Sequence, residues 1–289
     1  MIYQNGITTC CSGIDIFNIS PYLCTQKSKK TEKNMKIQQI RNATIKIEYA
    51  GKVMLIDPML GEKGCMPPFP FSHHQELRNP IHDLPMTVDE LLRDVDCVLL
   101  THLHTDHIDD AAYEQLPKEM LIVVQDELDR EVVVSHGFKQ VKVIEGEMQL
   151  GDVRLSKAES HHGHWWMLPK AGHTCGYVFQ HPAEPTTYLA GDTIWYSGVR
   201  RNLDRWQPDV VIVNAGGNKF HVGGHVIMHI PDVLKTMDYA PKATFVATHL
   251  EGVNHNHVTR VALLQAAREH GVAGRVHIPE DGESVNVSK

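Results

Sequence analysis

The stretch that decides the reading is Cys97-Val98-Leu99-Leu100-Thr101-His102-Leu103-His104-Thr105-Asp106-His107. Cys97 to Leu100 is a short apolar run of the kind that forms a buried strand, and three histidines and an aspartate follow it at once. If the strand direction persists briefly, side chains two apart point the same way, so His102 and His104 face one point and their imidazoles can grip one ion. Asp106 and His107, on the turn toward the next helix, can serve a second ion a few ångströms away. The plainer alternative is a solvated histidine-rich loop. With 20 histidines in 289 residues, the spacing arises by chance in roughly 0.6% of such chains, which favours metal binding.

Outward from this stretch the chain reads as strands first, then strands alternating with helices. Lys36–Arg41, Thr44–Tyr49 and Val53–Asp57 are short β-type runs with Ala50-Gly51-Lys52 as a turn, an antiparallel meander. Val88–Arg93 is helical; Leu121–Val124, a helix from Asp126 as N-cap to Gly137 beyond its end, and Val141–Ile144 follow in βαβ order. Val153–Ala158, Gly176–Gln180, Thr187–Ala190, Val210–Val213 and Thr244–Ala247 read as strands, and Val258–His270 as an amphipathic helix closed by Gly271. Two sheets with helices outside them are expected, in a single domain over 35–289. Residues 1–34 lack periodicity and end in a polar run, which predicts a disordered leader ahead of Met35.

Composition narrows the function classes. Lys and Arg total 28 against 35 Asp and Glu, a formal charge of -7. No overall basic field gathers nucleic acid. The six cysteines show no CxxC spacing, so neither a disulfide framework nor a zinc ribbon is indicated. No apolar run reaches the roughly 18 residues of a membrane span, and no signal peptide is legible, so a cytoplasmic location is expected.

The segment His102-x-His104-x-Asp106-His107 resembles the signature of the metallo-β-lactamase superfamily. Further motifs extend the resemblance over 35–289: Ile56-Asp57-Pro58, Ser160-His161-His162-Gly163, Gly191-Asp192-Thr193 and Thr248-His249, each at the end of a strand-like run. The resemblance implies an α/β fold, a four-layer αββα sandwich of two mixed β-sheets flanked by helices. It implies His102, His104 and His162 on one divalent ion, Asp106, His107 and His249 on a second, and Asp192 between them, with Asp57 bracing the metal loop. His161 rivals His162. No thiolate stands at these positions, so zinc and manganese both suit the donor set. Within the superfamily the chain is similar to the L-ascorbate-6-phosphate lactonase-like branch, on Leu55–Leu60 and on Tyr188–Trp195. Two departures set it apart from the lactonase: Asn42 stands where many relatives place a histidine, and Leu250–His255 replaces the tyrosine context after the last ligand.

The implied function is hydrolysis by a metal-bridging hydroxide positioned by Asp106 and Asp192, cleaving an ester, lactone or phosphoester of a small molecule. A phosphodiesterase acting on nucleotide or phospholipid-like substrates, and a non-hydrolytic metal-binding or redox protein, are the alternatives. The chain carries neither a flavin domain nor a cysteine-rich extension to favour the latter. His255, beside the fifth motif, and Trp195, beside the fourth, are candidate substrate contacts. Trp165, Trp166 and Met167 are further candidates for a cleft wall, with core packing as the alternative. The irregular Met59–Ser72 segment is a candidate lid or a passive connection. A homo-oligomer is compatible with all of this.

Overall fold

The computed structural model describes residues 35–164 and 172–289. The leader expected at 1–34, and Trp165, Trp166 and Met167, lie outside the described residues. In chain order, β1 (Met35–Arg41), β2 (Thr44–Tyr49) and β3 (Lys52–Ile56) form the expected meander. Then come α1 (Val88–Leu92), β4 (Cys97–Leu99), α2 (Asp110–Gln115), β5 (Leu121–Val124), α3 (Glu127–Ser135) and β6 (Gln140–Val143). The second half holds β7 (Glu147–Leu150), β8 (Val153–Glu159), β9 (Cys175–Gln180), β10 (Thr187–Leu189), α4 (Ser197–Trp206) and β11 (Val210–Asn214). It continues with β12 (Lys219–Phe220), β13 (Gly224–His225), α5 (Ile230–Tyr239), β14 (Thr244–Thr248), α6 (Arg260–Glu269), β15 (Val276–His277) and β16 (Ser284–Val287).

Among the described residues the strands make two seven-stranded sheets, ordered β16-β1-β2-β3-β4-β5-β6 and β15-β14-β11-β10-β9-β8-β7, and a separate β12-β13 hairpin. Both are mixed: β1, β2 and β3 pair antiparallel while β3 to β6 are parallel, and β7 to β10 pair antiparallel while β10, β11, β14 and β15 are parallel.

Side-chain alternation builds the layers. In β3, Met54 and Ile56 enter the core shared by the two sheets, whereas Leu55 joins the outer core beneath the helices. In β11, Val210 and Ile212 face the other sheet, while Val211 and Val213 face α4, α5 and α6 through residues such as Leu203, Val233 and Leu263. Leu91, Ala112 and Val133 bring α1, α2 and α3 onto the first sheet. The result is the four-layer αββα sandwich.

Helix α6 starts two residues later than the apolar period suggests, because the Thr259 hydroxyl accepts from Ala262 N and caps it. Among the described residues no helix is long and apolar enough to cross a membrane.

Topology also decides where the loops gather. β3 and β4 run parallel in one sheet, and β10, β11 and β14 in the other. β8 is antiparallel to β9, which is antiparallel to β10, so β8 shares the direction of β10. The residues at or just after the ends of all six strands, Asp57, Thr101–His107, His161–His162, Asp192, Asn214 and His249, therefore emerge at strand ends of common sense within each sheet.

Candidate metal centre

At that edge the structure brings seven predicted residues together. The donor atoms of His102, His104 and His162 lie within 4.8 Å of one another, as do those of His102, His107 and Asp192, and those of Asp106, His107 and His249. Each group could hold a metal ion. His104 Nδ1 faces His102 Nε2 at 2.9 Å and His162 Nε2 at 3.2 Å. Asp192 Oδ2 lies 3.2 Å from His107 Nε2 and 3.6 Å from His162 Nε2, and its Oδ1 lies 3.8 Å from His249 Nε2. His162, not His161, turns into this group; the His161 ring stacks on Tyr196 with centroids 4.1 Å apart.

The surroundings aim these donors inward. His162 Nδ1 lies 2.9 Å from the Val226 carbonyl and donates to it, which leaves Nε2 with its lone pair toward His104. Asp57 accepts from Thr101 N at 2.8 Å and Thr101 Oγ1 at 2.7 Å, and from His107 Nδ1 at 2.8 Å. Asn214 Nδ2 donates to Asp192 Oδ1 at 2.6 Å. Asp57 and His249 both hold positive φ, 46° and 59°, a left-handed conformation that turns the chain sharply out of the strand ends. Asn42 secures the loops from the other side: its Nδ2 donates to the Asp106 carbonyl at 3.0 Å, and its own carbonyl accepts from His249 N at 2.9 Å.

Three nitrogens here, His107 Nε2 and both ring nitrogens of His249, are buried without a hydrogen-bond partner. Buried polar atoms are ordinarily paired, so this donor set fits a metal ion that would take the free lone pairs. The electrostatics agree. Burial and the neighbouring imidazoles push the His102 pKa well below its ordinary value and that of His104 down to about 4, keeping both neutral. Burial opposes ionisation of Asp106 and Asp192, yet the histidines around them hold both carboxyls well below the usual range. Burial likewise opposes charging of His107, but Asp192 and Asp57 drive it well above its usual value. The two carboxylates thus carry negative charge that a cation would neutralise, and an ion at His107 Nε2 would displace the proton that ring otherwise holds.

A cavity of about 580 Å³ opens beside these donors. His104, Asp106, His162 and Asp192 line it on one side, and Phe69, Phe71, Leu103, Phe220, Val222 and Val226 supply apolar wall. A second cavity, about 680 Å³ and lined by residues 60–62, 65 and 66 and by α2, contains none of the donors. His255 lines the first cavity, buried between Phe69 and Phe220 at ring distances of 4.5 and 5.2 Å. Trp195 does not: its ring packs half-buried on Tyr239 at 5.6 Å and against the core beneath the helices. The sequence offered the aromatics flanking the metal motifs; the described cavity wall uses phenylalanines distant in sequence, two from a loop and one from β12. Phe69 and Phe71 belong to the Met59–Ser72 segment, whose irregular length was the signal available. Asn214, Asn218, Asn256 and Phe220 left no comparable signal.

Two mixed sheets whose strand ends converge on buried imidazoles and carboxylates define a metal-dependent hydrolase of the metallo-β-lactamase fold. The family model described as Beta-lactamase superfamily domain matches residues 52–250, and the chain belongs to that family. It is 41% identical over 251 residues to the UPF0173 protein YddR of Bacillus subtilis, covering 86% of this chain and 99% of that one. Among solved structures, an isothiocyanate hydrolase from Delia radicum gut bacteria is 42% identical with a TM-score of 0.85, covering 88% of this chain and all of that one, 100%. A possible metal-dependent hydrolase from Veillonella parvula is 34% identical with a TM-score of 0.86, covering 88% and 100% of the two chains. These matches identify the superfamily and its UPF0173 group; the lactonase-like branch stays a resemblance.

Proposed function

We propose that the protein hydrolyses a small, uncharged molecule at an electrophilic carbon, with an isothiocyanate carrying an apolar substituent as the favoured substrate class. One observation carries this reading: among the described residues, the cavity beside the donor cluster has a wall of Phe, Leu, Val and Pro side chains and no lysine or arginine. A phosphoester would bring negative charge next to Asp106 and Asp192, with no lysine or arginine among the described lining residues to receive it. An aryl or alkyl group attached to –N=C=S matches such a wall and presents its central carbon to the polar side. The 42% identical isothiocyanate hydrolase supports the same class. Esters and lactones, the wider expectation from the sequence, share the carbon electrophile.

In this reading His102, His104 and His162 would hold one divalent ion, zinc or manganese, and Asp106, His107 and His249 a second, with Asp192 reaching both. Ions so held generate a nucleophile from water near neutral pH and polarise the electrophile. Asp106 and Asp192, kept ionised, orient the attacking water by accepting its proton side, while the apolar wall excludes bulk water. Addition of water to R–N=C=S followed by C–N cleavage yields the amine and carbonyl sulfide, and the amine nitrogen must gain a proton as it leaves.

The test is a panel of benzyl isothiocyanate, a p-nitrophenyl ester, a lactone and a bis-p-nitrophenyl phosphodiester with the metal-loaded protein. Turnover of the isothiocyanate above the others is expected. Preferential hydrolysis of the phosphodiester would overturn the reading. Metal analysis should give close to two ions per chain; under half an ion after reconstitution with zinc and with manganese would remove its basis.

A further inference from the structure

His255 is set up as a hydrogen-bond donor by groups that never reach the cavity. Asn256 has its amide orientation fixed twice by backbone: Oδ1 accepts from Val253 N at 2.9 Å, and Nδ2 donates to the His249 carbonyl at 3.2 Å. The same Nδ2 donates to Asn218 Oδ1. With its oxygen so engaged, Asn218 turns its Nδ2 to His255 Nε2 at 3.1 Å. An amide N–H facing a ring nitrogen requires a lone pair there, so His255 Nε2 is the unprotonated nitrogen and the neutral ring carries its proton on Nδ1. Nδ1 is buried and has no hydrogen-bond partner. His255 itself is 4% exposed and lines the cavity with Asp106 and Asp192.

We propose that His255 is a fixed Nδ1–H donor to the substrate, locked in that tautomer by the relay from Asn256 through Asn218. A buried N–H left unpaired is unfavourable, and the cavity that the His255 ring lines would offer a substrate atom as the missing acceptor. For a cumulated or carbonyl electrophile that acceptor is the heteroatom on which negative charge grows as water adds. A donor held in place before reaction acts there without reorganisation. Asn218 and Asn256 are positioning residues: they act through the tautomer. The packing leaves the relay no slack, since a Cβ on Gly216 would lie 2.1 Å from the His249 carbonyl, 2.3 Å from Asn256 Nδ2 and 2.7 Å from Asn218 Oδ1.

The inference rests on the cavity being the substrate site, and its first test needs no substrate. In ¹⁵N-labelled, zinc-loaded protein at neutral pH, multiple-bond ¹H–¹⁵N correlations should show His255 protonated at Nδ1 and bare at Nε2. An Nε2–H tautomer, or an imidazolium, would overturn the relay whatever the substrate is. Asn218→Ala should release Nε2, convert the signal to a tautomer mixture and lower kcat/KM by about 10-fold with metal content unchanged. His255→Asn places an amide N–H near the Nδ1 position and should keep kcat/KM within about 10-fold, whereas His255→Gln reaches only the Nε2 position and should lose about 100-fold. Equal loss in the two, or loss of bound zinc in either, would show that His255 acts as structure and not as a donor. If the isothiocyanate is inert but the Nδ1–H tautomer is found, the substrate class fails and the donor stands, to be tested with whichever member of the panel turns over.

Discussion

The two carboxylates that brace the donor cluster differ in what each can lose. Asp192 has one oxygen satisfied by Asn214 and the other turned to His107 and His162. Asp192→Asn keeps the size but removes the charge that the cluster shares, so kcat should fall about 100-fold or more in a steady-state assay. Asp57 holds three donors on two oxygens, Thr101 N, Thr101 Oγ1 and His107 Nδ1. An asparagine there offers one acceptor oxygen, so either Thr101 N or His107 Nδ1 meets an amide N–H instead. Asp57→Asn should therefore weaken metal affinity about 10- to 100-fold, read by competition with a chromogenic chelator. The Ser160 hydroxyl, with no role legible in the sequence, donates to the Asp192 carbonyl at 2.8 Å and so belongs to the same support.

At the scale of elements, the segment after β3 is a built wall and not a slack connection. Asn254 staples it: Oδ1 accepts from Phe69 N at 2.8 Å and Asn79 Nδ2 at 3.0 Å, while Nδ2 donates to Ser72 Oγ and the His73 carbonyl at 2.9 Å each. The β12–β13 hairpin closes on the same segment, where His221 N donates to the Phe71 carbonyl at 2.8 Å. Asn254→Ala would leave several buried groups unpaired, at a cost of about 2 kcal/mol or more. The expected result is a lowered thermal midpoint and a raised KM for apolar substrates, with metal content retained. Loss of metal in that variant would instead place Asn254 in support of His249. Buried Arg41 holds the other end of the segment by donating to the carbonyls of Met59, Gly61 and His82, which ties β1 to the loop after Asp57.

For the molecule as a whole, buried neutral imidazoles set a pH dependence. His104 and His255 have folded-state pKa values pushed down by burial to about 4 and about 3, against an ordinary 6.5. Below 6.5 the unfolded chain binds protons that the folded chain refuses, so stability is full above that pH and drains as pH falls toward 4. His107, raised well above 6.5, is already charged in the folded chain, so it offsets part of the loss near pH 7 and no more once the unfolded ring is charged below about 6. Asp129 and Asp281, whose carboxyls burial pushes up, pull weakly the other way near pH 4. Chelator-treated protein should show a thermal midpoint that drops between pH 7 and pH 5, and His255→Phe should flatten that drop. A midpoint that rises on acidification would contradict the burial of these rings. Restoring zinc at pH 7 should raise the midpoint, because ligands that bind only the folded state stabilise it.

How much of this was written in the sequence depends on how local the cause is. The meander, the βαβ order and the run of motifs at strand ends were legible because alternation, turn residues and donor spacing act within a few residues. That His102, His104, Asp106 and His107 cluster was legible for the same reason. Strand β16 was not: its four residues pair with β1 across most of the chain. The motif favoured His162 over His161, but the Val226 carbonyl 64 residues away that fixes its ring was not legible, nor was a cavity wall of Phe69, Phe71 and Phe220 without Trp195. By itself the sequence determined the fold class and the donor types. Only the tertiary structure decided which rings turn inward, which amides fix the His255 tautomer and what walls the cavity, because those outcomes depend on partners that chain folding, and no local spacing, brings within hydrogen-bond reach.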